Sequence, residues 1–449
     1  MTAVRRMLPP IAIDGHHVDE HLLDGAVRAT IDALGDLRLS TGSTFTAAPD
    51  SLSVIVGLAA AQITGASLAL APADAGRFAT PRLEVTASGR VDLARGPSVR
   101  VPAQTAVLFF TSGTDATPKV VAISRAGLEH QAAATAERLA VAPGERLLLP
   151  LPIWHAYGFS VLLMARHAGA HVHIEHRVAP IPILRRLAER RYATLDGFPG
   201  LYRKLLVAAR DDPERLCELG RLRVRGCGGD VLAPALQDAF VDAVGAPIHD
   251  GYGLSEAGPN VALSGPGDNR IGTVGRPLDG VQVRVAADGE IHVRSPSVAL
   301  GGYDADDPAV PLPIAGDDGW LQTGDLGSID ADGFLRVTGR KKHVIMVYGE
   351  AHSPVTIEQA ALTVEDVAEA VAVGRAGEHE RGDAITLFVA GASRPTGALR
   401  DAVAHACAMR LLAALRPHDI HVVEALPQLH SGKPDRSALR SLAAESRQR

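Results

Sequence analysis

TAVLFFTSGTDATPK, residues 105–119, decides the fold class. Its first six residues form an uncharged run of strand length. The next nine bring four hydroxyls, a glycine, a proline and one lysine, which is loop composition. Downstream, Ser124 caps the alanine-rich segment RAGLEHQAAATAERLAV, Pro143-Gly144 stop it, and RLLLPLP reads as another strand. Upstream, Asp50 caps a small-residue helix that ends in a glycine turn and a buried strand, together SLSVIVGLAAAQITGASLALAP, residues 51–72. The phrase strand, glycine loop, helix returns in ATLDGFPG with LYRKLLVAAR and in RLRVRGCGG with DVLAPALQDAFVDAV. Such alternation predicts layered α/β structure. From about 271 to 338 short alternating runs with Asp-Gly turns predict an antiparallel β module, and a small α+β domain closes the chain.

At 449 residues the protein has room for two or three domains. Its net charge of -6, from 45 basic and 51 acidic residues mixed along the chain, gives no basic stripe for nucleic acid or anionic lipid. Cys217, Cys227 and Cys407 are odd in number and lack CxxC spacing, which argues against a disulfide framework and a zinc site and suits a reducing cytoplasm. The opening residues lack an apolar signal core, and no stretch reaches the ~18 apolar residues of a membrane span, so neither export nor membrane anchoring is expected.

Arginine outnumbers lysine 40 to five, yet Lys119, Lys341, Lys342 and Lys433 all fall within the motifs described below. Codon bias and a chemical need for a compact ammonium are both readings of that pattern. The loop from Thr111 to Lys119 has the chemistry to grip phosphate: Ser112, Gly113 and Thr114 offer hydroxyls and approachable amides, and Lys119 offers charge. It is not the GxxxxGK[ST] loop of nucleotide triphosphatases. Alone, such a segment is more often only a turn.

Seven segments in order resemble the motifs of the adenylate-forming superfamily, which comprises acyl- and aryl-CoA synthetases, peptide-synthetase adenylation domains and beetle luciferases. They are TSGTDATPK at 111–119, LPIWHAYGF at 151–159, RGCGGDVL at 225–232, DGYGLSE at 250–256, the long segment 319–345, YGEAHSPVTIE at 348–358 and LPQLHSGKPDR at 426–436. The resemblance implies a large adenylation core, 1–341, shortened at its N-terminus, and a small mobile C-terminal domain, 342–449. It implies ATP and Mg2+ as cofactors, a small carboxylic acid as substrate, and CoA or a carrier protein's phosphopantetheine as thiol acceptor.

By the same resemblance Gly228, Gly229, Asp230, Asp250, Gly251 and Gly253 surround the nucleotide, with the Tyr252 ring against adenine. Ser255 meets the α-phosphate, Glu256 the magnesium, Asp325 the ribose hydroxyls, and Arg340 ribose or phosphate. Lys433 holds the carboxylate and α-phosphate together during adenylation, assisted by Thr111 and Lys119. Lys342 is the hinge that later brings the acceptor loop, Gly349 and Glu350, to the same site. His155 is placed as a catalytic residue at the mouth of an acyl pocket with Phe198, Gly226, Gly228, Gly253 and Leu254 as walls, where its imidazole orients the incoming carboxylate or, by rotating, opens a path for the second nucleophile; a satisfied structural histidine is the other reading, and the glycines hint at room for a flat or linear group.

The chain departs from the pattern at Asp115-Ala116, where threonine-glycine is usual, at Val120, where a small residue is usual, and at Thr356, where glutamate is usual. These departures leave open a non-thiol acceptor, or a nucleotide- or acyl-binding relative with impaired turnover.

Overall fold

The strands on either side of the hydroxyl-rich loop pair with each other. Thr105–Thr111 runs antiparallel to Lys119–Ser124, with Thr111 facing Lys119, so the loop caps a β-hairpin instead of joining a strand to a helix. The second strand follows from KVVAIS itself, whose β-branched residues bury Val120, Val121 and Ile123 before Ser124 caps the next helix. Val120 is enclosed by this pairing, facing Phe110 on one side and Tyr303 on the other.

The computed structural model describes residues 7–70, 81–96, 99–111, 119–304, 311–364, 366–379, 382–391, 396–428 and 434–445. Within them the hairpin belongs to an eight-stranded mixed sheet, where the predicted helix Ser51–Thr64, capped by Asp50 and ended at Gly65 with φ +78°, leads into strand Ser67–Leu70. A nine-stranded sheet carries in neighbouring order Arg146–Leu149, Thr194–Gly197, Val224–Cys227 and His249–Gly253, all parallel, and then the antiparallel Asn260–Leu263. Helices Arg125–Arg138 and Ala156–Ala168 lie against the shared core between these sheets. A separate apolar cluster packs Pro180–Glu189, Pro199–Ala209, Pro213–Arg221 and Pro234–Val244 on the far side of the nine-stranded sheet.

The expected β module is a four-stranded antiparallel sheet of Gln282–Val285, Glu290–Arg294, Leu321–Ile329 and Leu335–Arg340. The last segment builds its own core around Ile345, Ile357, Leu387 and Val403, with Gly382–Ala390 central in its sheet. Ser353 Oγ donates to the Thr338 carbonyl at 2.5 Å and Arg203 donates to the Leu362 carbonyl at 3.1 Å, joining this segment to the larger one.

A buried amide fixes the strand beside the glycine-tyrosine motif. Gln131 donates from Nε2 to the Asn260 carbonyl and to Ser297 Oγ, each at 2.8 Å, and accepts the Asn260 N–H at 3.0 Å. Gln131→Leu orphans buried groups of the Asn260 strand, each at a cost of about 1–3 kcal/mol. A lower urea midpoint for the large segment is expected; an unchanged midpoint would show that the amide holds nothing.

Candidate active site

Tyr252, Asp325 and Arg340 come together from three strands. Strand His249–Gly253, paired on both sides within the nine-stranded sheet, presents Tyr252 near its C-terminal end, while Asp325 and Arg340 face each other on paired strands of the β module. The Tyr252 hydroxyl donates to Asp325 Oδ2 at 2.7 Å, and Arg340 Nε donates to Asp325 Oδ1 at 2.6 Å. Asp325 is buried, so the guanidinium compensates a charge that water cannot reach. Burial, reinforced by the Asp325 charge, pushes the Tyr252 phenol well above its ordinary value, so it stays a donor.

The backbone supports this cluster. Gly324, at φ +70°, turns the strand before Asp325 and donates its N–H to Glu290 Oε1 at 2.9 Å. Lys341 grips the same Glu290 at 3.1 Å and Asp288 at 2.6 Å. Glu256 sits half-buried in the turn Ser255–Ala257 just beyond Tyr252, and its charge helps hold Arg340 protonated.

The glycines beside Tyr252 answer to the chain's own packing. A Cβ on Gly253 would stand 2.1 Å from the Pro259 carbonyl oxygen, and one on Gly251 2.3 Å from Leu263 Cδ2. Asp250 is buried behind them and accepts the Gly251 N–H at 2.9 Å; burial lifts its carboxyl well above the usual range. Gly229, at φ +85° with open space where a Cβ would project, and Asp230 are exposed beyond strand Val224–Cys227.

Across this edge His155 begins helix Ala156–Ala168, half-buried, its ring 6.4 Å from that of Trp154. Phe198 begins helix Pro199–Ala209 and is 37% exposed, a large apolar face left at the rim. Leu254 is half-buried next to Gly253. Gly226 does not leave the room expected of it, because Asp196 occupies the space its side chain would take; a Cβ on Gly228 would stand in ordinary contact with the Tyr157 ring. Neither of those two carried a role in the sequence reading: Asp196 lies inside ATLDGFPG, where only a strand was legible.

Lys342 lies in the short turn Lys341–His343 that leaves Arg340. Gly349 and Glu350 are at the exposed tip of a tight hairpin whose central residues Tyr348 and Gly349 have φ +52° and +80°. Thr111 and Lys119 close the base of the hydroxyl-rich loop, while Ser112, Gly113, Thr114, Asp115 and Ala116 lie outside the described residues. Lys433 also lies outside them. The segment that carries it is closed by pairing between Gln428 and Pro434 and followed by helix Arg436–Glu445, which Arg436 anchors to Glu358 at 2.7 Å.

Magnesium needs oxygen ligands and retains several waters, so one carboxylate beside phosphates can hold it without a dedicated protein cage. Glu256 fits that requirement. Among the described residues no cluster of three or more His, Cys, Asp or Glu forms such a cage, and no helix is long and apolar enough to cross a membrane.

The family model for AMP-binding enzymes matches residues 51–303, and that for the AMP-binding enzyme C-terminal domain matches 356–433. Sulfoacetate–CoA ligase of Cupriavidus necator is 32% identical over 357 residues, covering 75% of this chain and 67% of that protein. A long-chain fatty acid–CoA ligase of Mycobacterium bovis is 31% identical over 60% of this chain, which spans only about half, 52%, of that relative's length. Among solved structures, an anthranilate CoA ligase in complex with anthranoyl-AMP matches with a TM-score of 0.82 at 20% identity, covering 99% of this chain and 96% of that one. The o-succinylbenzoate CoA synthetase of Bacillus subtilis with its acyl-adenylate matches at 0.80 and 21%, covering 97% and 95%. With the first domain matched over more than half the chain and the second following it in order, the protein belongs to the AMP-binding enzyme family and has the two-part fold of adenylate-forming enzymes.

Proposed function

We propose that the protein is an AMP-forming ligase that activates a small carboxylic acid with ATP, releases pyrophosphate and passes the acyl group to the thiol of CoA or of a carrier protein's phosphopantetheine arm. The Tyr252–Asp325–Arg340 cluster, at the edge where the two parts of the family's fold meet, carries this reading. The CoA ligases among its relatives favour the thiol acceptor.

In the first step a carboxylate oxygen attacks the α-phosphorus and the bond to pyrophosphate breaks, leaving an acyl-adenylate. Asp325 has acceptor capacity beyond its two present partners and takes the ribose hydroxyls, while the Tyr252 ring lies along adenine. Glu256 would hold the magnesium ion, which would supply positive charge beside the leaving phosphates. Lys433 and the hydroxyls of residues 111–114 stabilise charge that builds up at the α-phosphate, and positioning does the rest.

The clamps on Arg340 and Lys341 leave domain rotation to the positions that follow, which supports Lys342 as the hinge between 1–341 and 342–449. Rotation then exchanges Lys433 for the hairpin of Gly349 and Glu350, and the thiol displaces AMP from the acyl carbon. Three free cysteines among the described residues suit a cytoplasmic setting.

Acid-dependent exchange of labelled pyrophosphate into ATP is the direct test, and no exchange across a broad acid panel would identify an impaired relative. Lys433→Ala is expected to lower exchange by about 10²–10³-fold yet to spare thiol capture of a supplied adenylate. Equal loss of both half-reactions would remove the alternation from the mechanism. Asp325→Ala should lower kcat/KM for ATP about 10–100-fold, the worth of a hydrogen bond to a charged group, and a change in the acid's KM alone would place Asp325 elsewhere.

A further inference from the structure

A pocket wall made of glycines invites a bulky substrate, but here the space is taken from within. A Cβ on Gly226 would meet Asp196 Oδ1 at 2.4 Å and the Tyr157 hydroxyl at 3.4 Å, and one on Gly228 would meet the Tyr157 ring at 3.4 Å. Glycine at 226 therefore makes room for a carboxylate. Asp196 pairs with Gly226 across parallel strands, and alternation along Thr194–Gly197 sends Leu195 to the outer helical cluster and Asp196 to the opposite face, where Tyr157 lies.

This carboxylate is 3% exposed and has no cation within ion-pair distance among the described residues. It accepts from the Tyr157 hydroxyl at 3.1 Å and from Thr194 Oγ1 at 3.3 Å. A carboxylate has about four acceptor positions, so two remain. Burial lifts its carboxyl to about 6 against the pull of these two hydroxyls, which leaves it largely ionised at neutral pH. The next strand on, His249–Gly253, carries Tyr252, and a Cβ on Gly228 would stand 3.6 Å from the Gly251 carbonyl and 3.4 Å from the Tyr157 ring, which places the Tyr157–Asp196 pair two strands from Tyr252.

We propose that Asp196, oriented by Tyr157, forms the floor of the acid pocket and selects short carboxylic acids that carry a hydrogen-bond donor, a hydroxyl or an amino group, at the end remote from the activated carboxylate. The proposal rests on the acid-activating function argued above and specifies its substrate class. A donor at that end gains a charge-assisted bond to the buried carboxylate. A methyl group there strips the carboxylate of water and returns nothing. Tyr157 and Asp196 together shorten the pocket by filling the space against Gly226, which disfavours long chains.

The test is a set of matched acids: 4-hydroxybutanoate against pentanoate and 4-hydroxybenzoate against 4-methylbenzoate. Calorimetric binding to the full chain is read first, and pyrophosphate exchange second. The wild type is expected to favour the hydroxy member of at least one pair by about tenfold or more, because a site built to hydrogen-bond a hydroxyl rejects the analogue that lacks it. In Asp196→Leu the ratio should invert. In Asp196→Asn, which keeps the shape but loses the charge, it should fall several-fold; this variant decides the matter if the leucine variant does not fold. A merely structural Asp196 would change overall affinity and leave the ratio alone. Equal binding within both pairs, no binding of any of the four acids, or a ratio unmoved by either folded variant overturns the proposal. Selective binding without pyrophosphate exchange would sink the activation reading and leave the pocket assignment standing.

Discussion

The carboxylate of Asp325 is the constraint around which the candidate site is organised. Buried, it must be compensated, and it is compensated by groups from different parts of the chain: a phenol near the C-terminal end of an inner strand of the nine-stranded sheet and a guanidinium from the last strand before the small C-terminal segment. Gly324 next to it reaches Glu290, and Glu290 is held by Lys341, one residue after Arg340. The polar contacts thus close on themselves, from Asp325 through Arg340 and Lys341 to Glu290 and back to Gly324. Satisfied networks of this kind are stiff, because breaking one member leaves others buried and unpaired. The network runs up to Lys341, the residue before the proposed hinge.

A second buried carboxylate, Asp196, is handled in another way. It meets two hydroxyls and no cation among the described residues, and the glycine that it faces is present because nothing larger fits. The difference lies in the partners: a guanidinium and a phenol hold Asp325, whereas two hydroxyls hold Asp196, and under the proposed function the first would meet the nucleotide and the second the acid.

Layering was legible in the sequence because the alternation of apolar strands, glycine loops and capped helices is local: Asp50 and Ser124 mark helix starts by side-chain chemistry, and Gly65 marks a helix end by its left-handed backbone. KVVAIS escaped because no turn residue separates it from the cap of the following helix, so two elements meet with no punctuation. The residues of the Asp325 cluster were legible only through their motifs. Their partnership was not, since Tyr252 and Asp325 are 73 positions apart. The glycines misled for a physical reason: a missing side chain records that something approaches, and whether that is a ligand, the Pro259 carbonyl or Asp196 depends on tertiary structure alone. Asp196, an unremarkable letter in a strand, acquires meaning only from Gly226 and Tyr157.

The pairing of Thr111 with Lys119 has a consequence for how this family member can change. Lys119–Ser124 is bonded on both sides, to Thr105–Thr111 and to Gly301–Asp304, and its apolar residues are enclosed by both neighbours. A one-residue slip would turn every side chain to the wrong face. The ladder therefore transmits no slack, and an insertion or deletion between positions 111 and 119 has to be absorbed wholly within the seven intervening residues. Descendants of this sequence are free to alter the chemistry of that loop far more readily than its span.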